Sequence, residues 1–208
     1  MPLTPTNSTI KTIIFDLGRV LLSYEPEQYL RQKYNNPETI TALMTHIFNS
    51  PEWVLLDRGI LNNAQAAQKM AANSPRHRDE ITECVHNWVE QMSPIEGTVE
   101  TLKKVKEAGY KTLILSNFHR EAFATVSTTH DFFRHFDGGV ISFQTGHLKP
   151  EPAIYNQLIE KYNLNPGEAL FIDDMPKNIT AAQKTGIEAI LFQTPEKLSE
   201  DLAAWGII

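Results

Sequence analysis

Five short runs of apolar residues recur along the chain, and most of them end in polar residues. Continuous apolar runs of this length are typical of strands that are buried on both faces of a parallel sheet. The pattern therefore predicts five buried strands, at Lys11–Phe15, Lys111–Leu115, Gly139–Phe143, Ala169–Ile172 and Glu188–Phe192.

Helical periodicity separates these strands. Apolar residues fall at helical spacing in Thr98–Ala108, Ala153–Tyr162 and Pro176–Thr185, and the first and third of these segments stop at a glycine. Strands that alternate with helices indicate right-handed βαβ units. The predicted fold class is therefore α/β, with a doubly wound parallel sheet.

The segment between the first and second strands differs from the rest of the chain. From about Glu25 to Ser93 it has helical periodicity, several prolines and no clear strand. We predict a mostly helical insertion at residues 25–93, and an α/β core domain made of residues 1–24 and 94–208.

Reactive side chains stand where three of the predicted strands end. Asp16 follows the first strand, Ser116 and Asn117 follow the second, and Asp173 begins the acidic pair after the fourth. In an open α/β sheet, ligands bind beyond the carboxyl ends of the strands, so these side chains are expected to share one crevice. Lys149 follows the third strand and is placed to reach the same crevice.

This set of side chains suits the chemistry of phosphate esters. A carboxylate cannot approach an anionic ester unaided, but a Mg²⁺ ion held by several carboxylates offsets the repulsion. A lysine balances further charge on the transferring group. The free carboxylate can then attack phosphorus and form an acyl phosphate that water hydrolyses.

Composition narrows the function classes. The formal net charge of -6 disfavours a broad nucleic-acid-binding face, and the single cysteine, Cys84, cannot form an internal disulfide. No signal peptide and no membrane span are apparent, so a cytoplasmic location is expected. The sequence lacks the glycine-rich motifs of NTPases and Rossmann dehydrogenases, the zinc-peptidase motif and the serine-hydrolase elbow, which argues against these four enzyme classes. The expected partner is a small molecule, and the sequence leaves the oligomeric state open.

Four segments together resemble the four motifs of the haloacid dehalogenase superfamily, and they occur in the family's order. Each is weak alone, since an apolar run ending in Asp is common, but the ordered set is specific. It spans almost the whole chain, and the helical insertion corresponds to the family's type 1 cap. The four segments are Ile13–Gly18, Leu115–Asn117, Lys149–Pro152 and Phe171–Asp174.

The resemblance implies a role for each matching residue. Asp16 would be the nucleophile, and Lys149 would neutralise both the nucleophile and the phosphoryl charge. Ser116 would bind the transferring phosphoryl group, and Asn117 would shape the same loop and the phosphate site.

The resemblance also implies a Mg²⁺ site. Its ligands would be Asp16, the backbone carbonyl of Gly18, and Asp174 directly or through water, with Asp173 as a further contributor. Asn178 departs from the family's pattern, because many relatives have another Asp there, and this puts more weight on Asp174.

Gly18 is the more consequential departure. Most phosphatases of the superfamily carry a second Asp at this position, which acts as the general acid and base. Without it the proton for the leaving group must come from elsewhere. A subgroup with an Asp-Leu-Gly first motif includes sugar-phosphate phosphatases, so activity is still expected. Substrates with good leaving groups, such as anomeric phosphates, would need the acid least.

Candidate substrate-binding residues lie near the motifs and in the insertion. His119, after Asn117, either contacts substrate or faces solvent, and the same choice holds for Arg19 and Arg120. Trp53 and Arg58 belong to the polar and aromatic cluster Trp53–Gly59. That cluster is either a substrate-recognition loop or a packed tryptophan beside a surface ion pair.

The predicted function is hydrolysis of a small phosphorylated metabolite, with a sugar phosphate as a candidate. One alternative is a 2-haloacid dehalogenase, which uses the same Asp without a metal; the Asp173–Asp174 pair and Gly18 both disfavour it. The other alternative is a non-catalytic binding or regulatory protein that kept the fold after losing its general acid. Gly18, in place of that acid, is its only support.

Overall fold

The structure, a computed structural model, describes residues 9–208. Residues 1–8 of the predicted core, on which the expected absence of a signal peptide depends, lie outside the described residues. Within residues 9–208 five strands form one parallel sheet: β1 (Thr12–Phe15), β2 (Lys111–Ser116), β3 (Gly138–Ile141), β4 (Ala169–Asp173) and β5 (Glu188–Leu191).

Helices fill most of the remaining chain. The α-helices are α1 (Pro26–Lys33), α2 (Pro37–Leu43), α3 (Pro51–Asp57), α4 (Asn63–Asn73), α5 (Arg78–Asn87), α6 (Glu96–Glu107), α7 (Arg120–Thr129), α8 (Ser142–Thr145), α9 (Pro152–Tyr162), α10 (Pro176–Lys184) and α11 (Pro195–Ala204). A π-helical turn lies at Met44–Phe48, and 3-10 helices lie at Pro75–His77, Trp88–Gln91, Asp131–His135 and Pro166–Glu168.

The strand order is β3-β2-β1-β4-β5. The chain moves outward from β1 to β3, and then crosses back to place β4 on the other side of β1. This reversal between β1 and β4 opens a crevice beyond their carboxyl ends, where ligands bind in such sheets. The predicted doubly wound parallel fold is confirmed.

Alternate residues of the central strand enter two apolar layers. Ile13 and Phe15 pack with the layer that contains α6 and α11, whereas Ile14 packs with the layer of α9 and α10. All four residues of β1 are buried. A strand covered on both faces needs apolar side chains at every position, which explains the continuous run in the sequence.

The predicted third strand is wrong at its end. The strand stops at Ile141, and Ser142 begins the short helix α8. Ile141 pairs with Ser116, the last residue of β2, so no neighbouring strand continues beyond this point. The hydroxyl of Ser142 accepts a hydrogen bond from the backbone N–H of Phe118 at 2.9 Å, and this bond draws the chain away from the sheet.

The segment predicted as an insertion contains α1 to α5 and no strand among its described residues. Its buried residues, such as Leu43, Met70 and Val85, belong to the same apolar cluster as one face of the sheet. Because this interior is continuous with the core, the division into residues 25–93 and the rest stays a prediction.

No helix within residues 9–208 is both long enough and apolar enough to cross a bilayer. Cys84 is buried in α5, and burial raises the pKa of its thiol to about 12.

Candidate active site

The crevice is built by the carboxyl ends of three adjacent strands. Phe15, the last residue of β1, is level with Ile114 of β2 and Ile172 of β4. Asp16 therefore leaves the sheet at its centre, and its backbone N–H donates to the carbonyl oxygen of Ile172 at 2.9 Å. This register determines where the carboxylate lies.

A lysine from a distant loop binds the carboxylate. Lys149 Nζ lies 2.8 Å from Asp16 Oδ1 and 2.6 Å from Asp173 Oδ2. Burial by itself lowers the pKa of this ammonium, but the charges of the two carboxylates outweigh burial and raise it. Lys149 is therefore a fixed positive charge between two acids.

The nucleophile candidate is also held by two neutral donors. Asp16 Oδ1 accepts hydrogen bonds from Ser116 Oγ at 2.7 Å and from the backbone N–H of Leu17 at 2.8 Å. Burial, the largest effect, raises the pKa of the Asp16 carboxyl, while Lys149 lowers it. Three donors thus converge on one oxygen and fix the orientation of the group.

Asn117 fixes the loop that carries the lysine. Its side-chain Oδ1 accepts from the backbone N–H of Lys149 at 2.8 Å, and its Nδ2 donates to the Lys149 carbonyl at 3.1 Å. This two-point pairing sets the backbone from which the ammonium group reaches Asp16.

Three carboxylates lie close enough to share a cation. Oxygen atoms of Asp16, Asp173 and Asp174 all lie within 4.8 Å of one another. Burial and the charge of Asp173 raise the pKa of Asp174, the half-buried member of the group. Like charges this close are unfavourable unless a cation sits among them, so the donor set fits a divalent metal ion that prefers oxygen ligands.

Asp173 has little capacity left for a metal. Its Oδ1 accepts from the backbone N–H of Met175 at 2.8 Å and from Asn178 Nδ2 at 2.9 Å, and its Oδ2 accepts from Lys149. Asn178 Oδ1, by contrast, is buried at the cavity wall without a hydrogen-bond partner. An unpaired, buried amide oxygen at the same cavity as Asp174 is a further observation in favour of an ion, or water bound to one.

A cavity of about 230 Å³ lies over Asp16. Its charged and polar lining includes residues of all four motifs, and the rest of the lining is partly aromatic. The lining includes Asp16, Gly18, Arg19, Tyr24, Trp53, Asp57, Trp88, Met92, Asn117, Phe118, His119, Lys149, Asp174, Met175, Lys177 and Asn178. Ser116 and Asp173 lie behind this surface, in contact with Asp16 and Lys149 respectively.

Gly18 and Arg19 form the turn after β1. Arg19 adopts a left-handed backbone conformation with φ of 59°, which is uncommon for a residue with a side chain. Its Nε donates to the carbonyl oxygen of Tyr24 at 3.0 Å. The turn leaves open space around Gly18, where an added Cβ would have no neighbour within 4 Å.

The side chains of the cluster Trp53–Gly59 point to two different places. Trp53 and Asp57, four residues apart on α3, both line the cavity. Arg58 is not among the lining residues; it forms an ion pair with Glu151 and donates to the carbonyl oxygen of Gly146 at 2.7 Å. The structure therefore brings Trp53, but not Arg58, to the predicted site.

His119 is buried at the cavity and does not face solvent. Its ring centroid lies 4.3 Å from that of Trp53 and 5.3 Å from that of Trp88. Nε2 lies 3.3 Å from Asp57 Oδ1, yet neither ring nitrogen forms a hydrogen bond with acceptable geometry. Burial lowers the pKa of His119 to about 3. Arg120, the next residue, is exposed and lies over the ring of Phe143 instead.

We expect His119 to remain neutral at pH 5, where a free histidine is charged. NMR titration of the ring nitrogens checks this, and the spectrum of His119→Gln identifies the signal. The folded pKa lies below the unfolded value of about 6.5, so the unfolded chain binds the extra proton as pH falls towards 3. This group then lowers stability by up to ~1.4 kcal/mol per pH unit in that window. A protonated signal at pH 5 would contradict the burial of the ring.

Sequence reasoning missed much of the aromatic wall. Trp88 belongs to the 3-10 helix Trp88–Gln91, which places its ring at the cavity, beside Phe118 and Tyr24. Helical periodicity identifies apolar side chains that turn inward, but it cannot separate a core position from a cavity wall, since both are buried.

Comparisons with known proteins agree with this geometry. The sequence profile of the haloacid dehalogenase-like hydrolases matches residues 13–192. A phosphorylated carbohydrates phosphatase of Thermotoga maritima is 30% identical over 187 residues, which cover 87% of this chain and 84% of that protein.

Solved structures share the fold. A haloacid dehalogenase family enzyme of Bacteroides thetaiotaomicron, in complex with magnesium and inorganic phosphate, superimposes with a TM-score of 0.70 at 20% identity, covering 89% of this chain and 95% of that one. A dehalogenase with an intermediate complex gives a TM-score of 0.72 at 18% identity, covering 90% and 87%. With the profile match across most of its length, the chain belongs to the family of haloacid dehalogenase-like hydrolases.

Proposed function

We propose that the protein is a Mg²⁺-dependent phosphomonoesterase that acts on a small phosphorylated metabolite through an aspartyl-phosphate on Asp16. The observation that carries this proposal is the Lys149 ammonium 2.8 Å from Asp16, with two further carboxylates grouped around Asp16 at the cavity. The phosphatase of Thermotoga maritima, 30% identical, gives independent support.

The chain's own residues prepare the attack. Ser116 and Leu17 hold Oδ1 of Asp16, which leaves Oδ2 of that group to attack phosphorus. Lys149 carries three N–H donors, two of which are directed at carboxylates, and the third can meet a phosphoryl oxygen. A positive charge already in place stabilises charge that develops on the phosphoryl group, at no cost in reorganisation.

The metal would be held by oxygen ligands on one side of this cavity. We assign Asp16, Asp174 and the carbonyl of Gly18 as its ligands, with the unpartnered Asn178 oxygen directed at the ion or its water. Asp173 is assigned a positioning role, because its oxygens already bind Lys149, Asn178 and a backbone N–H. When bound, Mg²⁺ supplies charge that draws the anionic ester to the carboxylate.

The substrate is proposed to be small. A cavity of about 230 Å³ accepts a metabolite and excludes a folded macromolecule. Trp53 and His119 line the cavity as neighbouring aromatic rings, and the C–H face of a sugar ring is a surface that would pack against such a ring. A sugar phosphate therefore remains the proposed candidate class, and helices α1–α5 are proposed to act as the cap that encloses it.

A 2-haloacid dehalogenase remains the second candidate, because the same nucleophile serves both reactions and a dehalogenase shares the fold. The acidic group around Asp16 disfavours it, since displacement of halide from carbon needs no metal. Halide release from 2-haloacids in the absence of metal would favour this candidate. A non-catalytic binding protein would release neither halide nor phosphate.

Removal of the metal tests the proposal directly. In a panel of phosphorylated metabolites, we expect EDTA to lower the rate of phosphate release at least ~10²-fold, and Mg²⁺ to restore it. Mg²⁺ should also raise the unfolding temperature of the protein, because it relieves repulsion among three carboxylates and binds the folded state only. Phosphate release that is unaffected by EDTA would contradict the assignment.

A further inference from the structure

The absence of an acid at Gly18 leaves the proposed reaction without a proton for the leaving group. An alkoxide that departs from phosphorus is strongly basic, so its oxygen needs a proton as the bond breaks. The donor must be a titratable side chain at the cavity over Asp16, and it must be free of the nucleophile and metal roles. This inference rests on the function proposed above.

Most titratable groups at the cavity cannot act in this way. Lys149 is bound to two carboxylates that stabilise its charged form. Arg19 does not lose its proton in proteins, and burial raises the pKa of Tyr24 far above its ordinary value. His119 is neutral because burial lowers its pKa, so it carries no acidic proton. Lys177 is exposed, at the rim.

Asp57 is the remaining carboxyl group, and its position is fixed. It ends helix α3, and its backbone carbonyl accepts a hydrogen bond from Ser142 Oγ at 2.6 Å. The next side chain, Arg58, donates a hydrogen bond to the carbonyl oxygen of Gly146, which directly follows α8. A Cβ at Gly59 would clash with the backbone of Phe143, so the following residue is also in close contact with the core. Three consecutive residues thus attach the end of α3 beside the carboxyl ends of the strands.

The surroundings of this carboxyl group favour its neutral form. Its side chain is 18% exposed, and His119, flanked by two indole rings, lies on one side at 3.3 Å. Burial, the largest effect, raises the pKa of Asp57 to about 7, with Asp16 acting in the same direction and Lys149 against it. Tyr24 faces the same group as a neutral phenol. Near neutral pH, a large fraction of Asp57 therefore holds a proton.

We propose that Asp57, from the helical insertion, is the general acid and base that replaces the missing side chain at position 18. In the first step Asp16 Oδ2 bonds to phosphorus, the bond from phosphorus to the ester oxygen breaks, and the Asp57 proton moves to that oxygen to give the free alcohol. In the second step the Asp57 carboxylate takes a proton from water, the water oxygen bonds to phosphorus, and the acyl-phosphate bond breaks. Inorganic phosphate leaves, and both carboxyl groups return to their starting states.

Two substrates that differ only in leaving-group basicity test the proposal. Phenyl phosphate and 4-nitrophenyl phosphate share a ring, but phenolate is the more basic product and depends more on an acid. We expect Asp57→Asn to lower kcat/KM for phenyl phosphate by ~10²–10⁴-fold, and to lower that for 4-nitrophenyl phosphate by less than about 10-fold. For the wild-type protein, kcat/KM for phenyl phosphate should decline above about pH 7, where Asp57 loses its proton. This decline should disappear in Asp57→Asn.

A second variant separates proton transfer from structure. The open space at Gly18 accepts a side chain, so Gly18→Asp in the Asp57→Asn background should recover at least ~10-fold of the phenyl phosphate rate. Asp79→Asn, the same change at an exposed position of α5, is the matched control and should leave both rates unchanged.

Two outcomes would overturn the assignment of Asp57. One is an equal loss for both substrates with no rescue by Gly18→Asp, which would mark a structural role. The other is an unchanged phenyl phosphate rate and pH profile in Asp57→Asn. No turnover and no acyl phosphate in the wild-type protein with Mg²⁺ would instead reject the underlying phosphatase function.

Discussion

Lys149→Met is expected to destabilise the protein by about 3–5 kcal/mol and to abolish activity. The ammonium group lies between Asp16 and Asp173, at 2.8 and 2.6 Å, and it is almost completely buried. Its removal leaves two carboxylates in the interior without a counter-charge. Methionine keeps the length of the side chain, so the loss reports on charge rather than on a cavity.

The destabilisation by Lys149→Met should depend on pH. Burial already raises the pKa of Asp16, and without the lysine that pKa rises further. The folded state then holds protons that the unfolded chain releases, so stability falls as pH rises through the neutral range. Urea unfolding in EDTA at pH 5 and pH 8 measures this, with exposed Lys104→Met as the control. A loss below about 1 kcal/mol at pH 8 would show that the ion pair contributes little.

Asp16→Asn is expected to reduce phosphate release by roughly 10⁶-fold, about the loss found when a covalent nucleophile is removed. An amide oxygen is a poor nucleophile towards phosphorus, and the metal also loses a charged ligand. Trapping of an acyl phosphate by mass spectrometry after a rapid acid quench should succeed with the wild-type protein and fail with the variant. Activity that survives in Asp16→Asn would exclude the proposed mechanism.

The same variant should not unfold the protein. Two carboxylates face one ammonium group at the metal-free site, so removing one of them leaves a matched pair of Lys149 and Asp173. We expect Asp16→Asn to raise the free energy of unfolding in EDTA by roughly 0.5–2 kcal/mol at pH 8. Activity lost together with stability gained would locate the defect in the chemistry. If Asp16→Asn instead lowers the free energy of unfolding, the charges of the metal-free site are already balanced in the wild-type protein.

The two electrostatic predictions share one physical cause. The candidate active site gathers three acids and one lysine in a largely buried region, and the excess of negative charge is unfavourable until a cation is bound. Natural proteins hold such unfavourable arrangements at functional sites because the rest of the fold compensates for them. The apolar layers on both sides of β1 provide that compensation here.

The sequence by itself determined the fold class and the identity of the motif residues. Strands β1 and β4 were evident because a strand covered on both faces must be apolar throughout, which leaves a local pattern that can be read without a structure. Asp16 and the Asp173–Asp174 pair were evident for the same reason, since a charged residue that ends such a run lies at the ligand-binding edge of the sheet. The end of β3 was misread, because the bonds made by Ser142 involve residues far away in the chain.

Only the tertiary structure decided which residues of the insertion reach the site. The cluster Trp53–Gly59 was noticed in the sequence, but the turn of α3 places Asp57 at the cavity and directs Arg58 to Glu151. The burial of His119, and the perturbed pKa values that follow, come from rings that lie 66 and 31 positions earlier in the chain. Periodicity records which face of an element is apolar, whereas desolvation and charge depend on neighbours that the folded chain brings together. For this reason the strands could be predicted from the sequence, and the proposed source of the proton could not.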